Sequence, residues 1–347
     1  MRRQPPIFFA VLLGLVIACT GAQAASLDCS KAAAGLEQAV CSDPVLTDHS
    51  DNIAREFKAA LTPLSARGKD EMHREQRNWL HYAAQICAVD ASVAEPMDAR
   101  TQECLRGAYA VRESQLQGAT LRVGHMLLRQ VSSFAAHPND ADSSLVGIHP
   151  GFATSEIAYP LIDNPSGPSQ RAFNSKMMAL VKKAGAGSGP NAAIADDLSL
   201  SYEIHRADRQ LLSVSSYSMD YAHGAAQANH GLHVLNWLLK QNRELQAEDI
   251  FDQKKPWRPA LAGLLRQALK NHQKDCHCRE MKPADKGVIE SKLSTDSWGI
   301  EPGGLVVQFL PDEMHSYKAG APRIFLPWSK LKAYLVSRPL LADSFKE

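Results

Sequence analysis

Apolar side chains recur at three- and four-residue steps through the first third of the chain. Leu46, Ile53, Phe57 and Leu61 keep helical spacing up to Pro63. After Ser65, a second run steps through Met72, Gln76, Trp79, Ala83 and Cys87. A shorter leading segment sets Leu36 and Val40 on the face of Cys29 or its neighbours, with Ser26 or Asp28 as cap. Between these, Ser42-Asp43-Pro44 reads as a stop and restart, because Asp43 suits an N-cap and Pro44 the first helical position. A fourth segment after Thr101 carries Cys104, Ala108, Val111 and Gln115 as one stripe. The helical period continues through Leu121, Met126, Leu127 and Val131 and breaks at His137-Pro138-Asn139-Asp140. The polar, turn-rich stretch that follows places a boundary at 135–150.

Beyond it the period changes. Ile157, Tyr159 and Leu161 alternate as a strand ending at Asp163-Asn164-Pro165, and a helix follows over 172–184. Residues 198–205 and 210–221 alternate on either side of a short turn near Ala207-Asp208, predicting a hairpin. A strand over 232–239, a helix over 256–271, late strands at 305–310 and 323–326, and a short helix from Pro327 complete the chain. Strands and helices mix without regular alternation. The expected fold is therefore multidomain: an all-α disulfide-bonded helical module, then an α+β domain with a mainly antiparallel sheet. The expected division is a leader over 1–24, the helical module over 25–134, a linker over 135–150 and the α+β domain over 151–347.

Arg2 and Arg3 precede an apolar run over 7–18, too short to span a bilayer, and small residues follow. This predicts a secretory signal peptide. Ala22-Gln23-Ala24 offers a cleavage site that releases a soluble protein, while Val16-Ile17-Ala18-Cys19 offers a lipobox with Cys19 lipidated. Both readings predict an exported, periplasmic protein, the second with a lipid anchor in the outer membrane. No later apolar run predicts a membrane helix. Cys29, Cys41, Cys87 and Cys104 then sit near helix ends and predict two disulfides, because export favours oxidation and no CxxC spacing suggests metal. Four cysteines allow three pairings. Links from the 29–41 segment to the later helices are expected, each contributing on the order of 2–4 kcal/mol. Cys276-His277-Cys278 suggests a further surface disulfide or an irregular loop, with metal binding alongside His272 or His277 and a bridge between two molecules as the alternatives.

Several short runs follow one another in a fixed order: Asp28-Cys29-Ser30-Lys31-Ala32, Val40-Cys41-Ser42-Asp43-Pro44-Val45-Leu46, Gln76-Arg77-Asn78-Trp79-Leu80, Cys87, and Cys104-Leu105 with Tyr109 and Arg112. Over 27–118 this resembles the N-terminal domain of the LprI-type lysozyme inhibitors. The resemblance implies an exported, disulfide-bonded helical module that binds and blocks lysozyme. A second set comprises Tyr159-Pro160, Phe173-Asn174, the 217–225 run, Leu235-Asn236-Trp237, Asp249-Ile250-Phe251, the 304–309 run, Tyr317-Lys318-Ala319-Gly320 and Phe325-Leu326-Pro327-Trp328. Over about 156–335 it is similar to the extracytoplasmic domain of RsiV-like proteins, and implies lysozyme sensing. Ala222 stands where that family carries glycine, and Asp312 where an aromatic is common.

Composition narrows the chemistry. A net charge of +1 over 347 residues, without basic clusters interleaved with aromatics, excludes a nucleic-acid binder. Residues 25–118 carry 14 acidic against 10 basic side chains, net −4, which favours a cationic partner. Asp43, Asp48 and Asp51 are the candidate partner-binding acids. His223, His230 and His233 are the candidate metal ligands, since two histidines three apart converge on one ion from a helix or turn. No nucleophile elbow, phosphate loop or dinucleotide fingerprint is present, so no catalytic residue and no cofactor is expected. The chain thus reads as a non-enzymatic, exported lysozyme-binding protein. The alternatives are a metal-dependent cell-wall enzyme or accessory protein, and a non-catalytic peptidoglycan-binding envelope protein.

Overall fold

The computed structural model describes residues 27–32, 35–89, 98–139, 149, 151–185, 196–276, 285–311, 313 and 321–337. Four helices open the chain: α1 (Gly35–Cys41), α2 (Pro44–Leu61), α3 (Ala66–Ile86) and α4 (Ala99–Gln117). Their starts are set by caps. Asp43 accepts from Val45 N–H with Pro44 in the first turn, Ser65 accepts from Gly68 N–H, and Asp98 accepts from Thr101 N–H. The fourth helix is therefore capped at Asp98, three residues before the expected Thr101. Leu46, Ile53 and Phe57 of α2 meet Met72, Trp79 and Ala83 of α3 and Leu105 and Tyr109 of α4 in one buried cluster. Each large apolar side chain there contributes about 1.5–3 kcal/mol by leaving water.

Two expectations about these helices are corrected. Both disulfides are local, Cys29–Cys41 and Cys87–Cys104, each with Cα atoms 5.5 Å apart, so neither ties the 29–41 segment to the later helices. The first bridge closes the turn before α1 onto its last residue. The second joins the C-cap of α3 to α4. The buried face of α4 is Leu105, Tyr109, Arg112 and Leu116, whereas Val111, placed in the expected stripe, is 52% exposed. The stripe shifts because an arginine, Arg112, occupies a core position.

The helical reading of 121–131 is also overturned. This stretch forms β1 (Thr120–Val123) and the start of β2 (Met126–Pro138), antiparallel with Val123 opposite Met126. Gly124 makes the two-residue turn at φ +58°, a conformation that suits glycine and ends any helix. Met126-Leu127-Leu128 is a continuous apolar run because the strand is covered on both sides: Leu127 joins the helical cluster and Leu128 the cluster under α5 (Pro168–Gly185). The change from helix to sheet thus falls at Gly118, and 135–138 is strand rather than linker.

β1 and β2 begin a seven-stranded sheet with β3 (Phe152–Ile162), β4 (Asp196–Ala207), β5 (Leu211–Ala222), β6 (Asn229–Leu238) and β7 (Arg243–Glu244), in sequential order. Every pair is antiparallel except β3 with β4, which is parallel because α5 provides the crossover. Phe173 and Met177 of α5 pack on Leu212, Val214, Leu235 and Trp237. A second layer contains α6 (Trp257–Cys276), α7 (Asp285–Ser291), β8 (Trp298–Glu301), β9 (Gly304–Gln308), β10 (Arg323–Pro327) and α8 (Trp328–Leu331), with strand order β10-β9-β8. Phe251 and Trp257 stack at its centre, and Trp298 meets both edge-on. Polar bonds tie it to the large sheet: Ser213 Oγ accepts from Ile300 N–H at 2.9 Å, and Asn236 Nδ2 donates to the Trp298 carbonyl at 2.8 Å. A disulfide-bonded helical region followed by α+β structure with a mainly antiparallel sheet is the observed architecture.

Candidate binding cleft

Helix α3 lies along the edge of β2 beyond the end of β1. The Glu75 carboxylate accepts from Ser132 N–H there at 3.1 Å, covering a strand edge that would otherwise be open. Buried Arg129 of β2 pairs with Glu75 at 3.1 Å and with Glu71. At the other end, Asp163 accepts from both Ser65 N–H (2.7 Å) and Ser65 Oγ (2.8 Å). The helices and the sheet are thereby held in one relation, and a cleft of about 770 Å³ opens between them. Trp79, Tyr82 and Phe134 line its apolar wall, Val111 and Glu103 stand on its lip, and Glu156 and His149 close it on the sheet side.

Beneath the cleft the polar groups are paired. Tyr82 donates its hydroxyl to Glu156 Oε1 at 2.5 Å; burial, reinforced by that carboxylate, pushes the phenol well above its ordinary range and keeps it a donor. Asp197, almost wholly buried, accepts from Thr154 N–H (2.8 Å) and Thr154 Oγ1 (2.7 Å). Its other oxygen lies 2.9 Å from His223 Nε2, and His223 Nδ1 lies 2.8 Å from Asn139 Nδ2. His223 thereby bridges Asn139 and Asp197. Burial lowers the pKa of His149, opposed by Glu156 and Asp197. The Thr154 hydroxyl thus links Asp197 to the neighbourhood of Tyr82. A closed hydrogen-bond network under an open apolar wall is suited to binding.

Gln76, Trp79, Tyr109 and Arg112 of the first resemblance are buried. Arg112, 1% exposed, donates from Nε and Nη2 to Gln76 Oε1 at 3.0 and 2.9 Å, and its guanidinium lies 5.8 Å from the Trp79 ring and 5.2 Å from the Phe134 ring. Burial draws its pKa down to about 10, against the pull of Glu75. Trp79 meets Tyr109 edge-on at 4.9 Å. Asp43 is corrected from a surface acid to a buried one: it caps α2 and binds Arg106 Nε at 2.8 Å. That hydrogen bond, the largest influence, holds its carboxyl below the ordinary range despite burial. Asp48 and Asp51 are exposed on α2.

The three candidate metal histidines do not converge. His230 and His233 lie on β6, where residues three apart face opposite sides of the sheet. His223 is held by Asp197, and His230 Nδ1 is bonded to the Tyr217 hydroxyl. Among the described residues, one group of side chains is close enough to share an ion: Glu203, His205 and Glu301, a set that sequence spacing missed. Glu203 and His205 are strand neighbours, but Glu301 comes from another sheet. The cleft residues were equally hidden, since Tyr82 and Glu156 lie 74 positions apart. Cys19 and the Cys276-His277-Cys278 thiols lie outside the described residues and side chains. Among the described residues no helix is long and apolar enough to cross a membrane.

Residues 248–329, spanning α6 to α8, match a family model described as a protein of unknown function, DUF3298. A solved member of that family from Bacteroides fragilis is similar at 15% identity and TM-score 0.47, covering 65% of this chain and 99% of its own. A DUF3298 family protein from Pseudomonas aeruginosa is similar at 13% identity and TM-score 0.41, covering 62% of this chain and 95% of its own. No curated protein matches the chain.

Proposed function

We propose that this is an exported binding protein of the cell envelope that engages lysozyme and blocks it sterically, without covalent chemistry. The observation that carries the reading is the cleft of about 770 Å³, whose apolar wall is presented while the polar groups beneath it are spent on one another. Lip residue Glu103 and the α2 acids Asp48 and Asp51 are exposed, in a segment with net charge −4 over 25–118, which suits a cationic enzyme. The resemblances to LprI-type inhibitors and to RsiV-like domains support the same partner. Two disulfides fit an oxidising compartment, hence the periplasm. Release after Ala24 and lipidation at Cys19 are the two ends that a mass measurement of the mature protein distinguishes.

The deciding experiment is a calorimetric titration of the full mature chain with c-type lysozyme at low and high salt, beside a lysis assay. Binding that weakens with salt, together with slowed lysis, is expected. Absence of heat together with full lysis at a large molar excess overturns the proposal. Retention on insoluble peptidoglycan but not on lysozyme moves the function to a cell-wall scaffold.

A further inference from the structure

The large sheet and the three-stranded sheet meet at a polar cluster remote from the cleft residues in sequence. Strand β4 carries a bulge between Ile204 and Arg206, so His205 has no register partner on β5. A bulge re-aims its side chain. The His205 side chain is completely buried, and Nδ1 has no hydrogen-bond partner. Nδ1 faces Glu203 Oε1 at 3.7 Å and Glu301 Oε1 at 3.6 Å. The ring is pinned from behind: a Cβ on Gly299 would lie 2.6 Å from it, so only glycine fits there. On its far side, Nε2 is 3.1 Å from Ser215 Oγ.

We infer that Glu203, His205 and Glu301 form a binding site for a divalent transition ion of the zinc class, clipping the three-stranded sheet onto β4. The gaps at Nδ1 are too long for hydrogen bonds. They approach the donor–donor edge of about 3.4 Å that a tetrahedral ion with bonds of about 2.0–2.1 Å requires. The ligand atoms all lie within 4.8 Å of one another. With Nε2–H donating to Ser215, the Nδ1 lone pair points at the carboxylates, which is the outer-shell arrangement of metal-bound histidines. One nitrogen and two carboxylate oxygens leave the fourth position to water.

The same place attracts a cation already. Arg323 Nη2 lies 3.0 Å from Glu203 Oε1 and 2.6 Å from Glu301 Oε1. Its side chain is 44% exposed and can swing into solvent when an ion enters. Glu203 keeps its second oxygen on Gln308 Nε2 at 3.0 Å, which holds the carboxylate in place after the exchange. Arginine and ion are therefore competitors for one pair of carboxylates.

The test uses the full chain, prepared without a histidine tag and freed of metal with a chelator, titrated with zinc chloride by calorimetry. Cobalt(II) absorption in parallel reports a four-coordinate nitrogen–oxygen site. One ion per chain is expected. Glu203→Gln and Glu301→Gln each weaken binding by at least about tenfold, since loss of even an outer-shell partner costs about 10–100-fold. Arg323→Met tightens it, because the competing cation is gone. All three changes are at partly exposed side chains, and circular dichroism checks their folding. Two results overturn the site: no ion bound by either the parent chain or Arg323→Met, or binding unmoved by the glutamine variants and abolished by Cys276→Ser with Cys278→Ser.

Discussion

Replacing Arg112 by methionine tests what holds α3, α4 and β2 together. The guanidinium makes two bonds to Gln76 Oε1, one to Gln115 Oε1 at 3.2 Å, and faces the Trp79 and Phe134 rings. Methionine fills most of the same volume but leaves Gln76 Oε1 without a donor in a dry core, which costs about 1–3 kcal/mol. The lost ring contacts add about 0.5–1 kcal/mol each. Against this, removing the charge returns the desolvation free energy that pulls Arg112 down to about 10, and Glu75 keeps Arg129 at 3.1 Å. With about 1.4 kcal/mol returned for each pKa unit by which burial lowers it, the net expectation for Arg112→Met is a loss of only about 0–2 kcal/mol. Gln76→Leu is worse, about 3–5 kcal/mol, because it strands a buried charge. The double variant should return to within about 1 kcal/mol of the parent, since both polar groups vanish together. Urea unfolding of all four proteins with the disulfides intact, followed by helical circular dichroism, gives the coupling between the two sites. Additive single losses would refute this account of the Gln76–Arg112 pair.

Asp43→Asn should lose about 1 kcal/mol or more at neutral pH, because it weakens a cap and an ion pair. Since the Asp43 carboxyl lies below its usual range when folded, the stability it adds is present above its unfolded pKa near 3.9 and fades as pH falls through the lower folded value. Denaturation midpoints of the two proteins should therefore converge only in strong acid, and a gap that instead closes on raising the pH contradicts the pairing. Tyr82→Phe removes the hydroxyl donor from Glu156 and should cost about 1.5–3 kcal/mol by thermal or urea melts. Glu103→Lys, on an 81% exposed side chain at the cleft lip, should weaken lysozyme binding at low salt without changing stability, whereas an effect confined to Asp48→Lys and Asp51→Lys would place contact on α2. Reducing the disulfides should lower the midpoint of the helical region, each bridge closing a short loop worth on the order of 3 kcal/mol. Melts with and without reductant measure it.

The elements that sequence pattern exposed are those whose signal is local. Asp43-Pro44 and Ser65 start helices where capping chemistry puts them. The β4–β5 hairpin and α5 follow their apolar periods. Sequence pattern and structure part where burial depends on distant partners. Leu121, Met126, Leu127 and Val131 satisfy a helical period, yet Gly124 turns the chain and both faces of β2 find cover. Val111 fits the apolar stripe by spacing, yet it is Arg112 that is buried, with Gln76, Trp79 and Phe134 around its guanidinium. His230 and His233 share a face only in a helix, and the strand parts them.

Taken alone, the sequence determined the class of the molecule: capped helices, four disulfide-forming cysteines, and alternating strands, each governed by neighbours a few positions away. Tertiary structure decided which cysteines pair, because pairing depends on which Cα atoms come within about 6 Å. It also decided the cleft and the Glu203–His205–Glu301 cluster. Both assemble side chains from separate elements, and their distances exist only once the sheets and helices have packed.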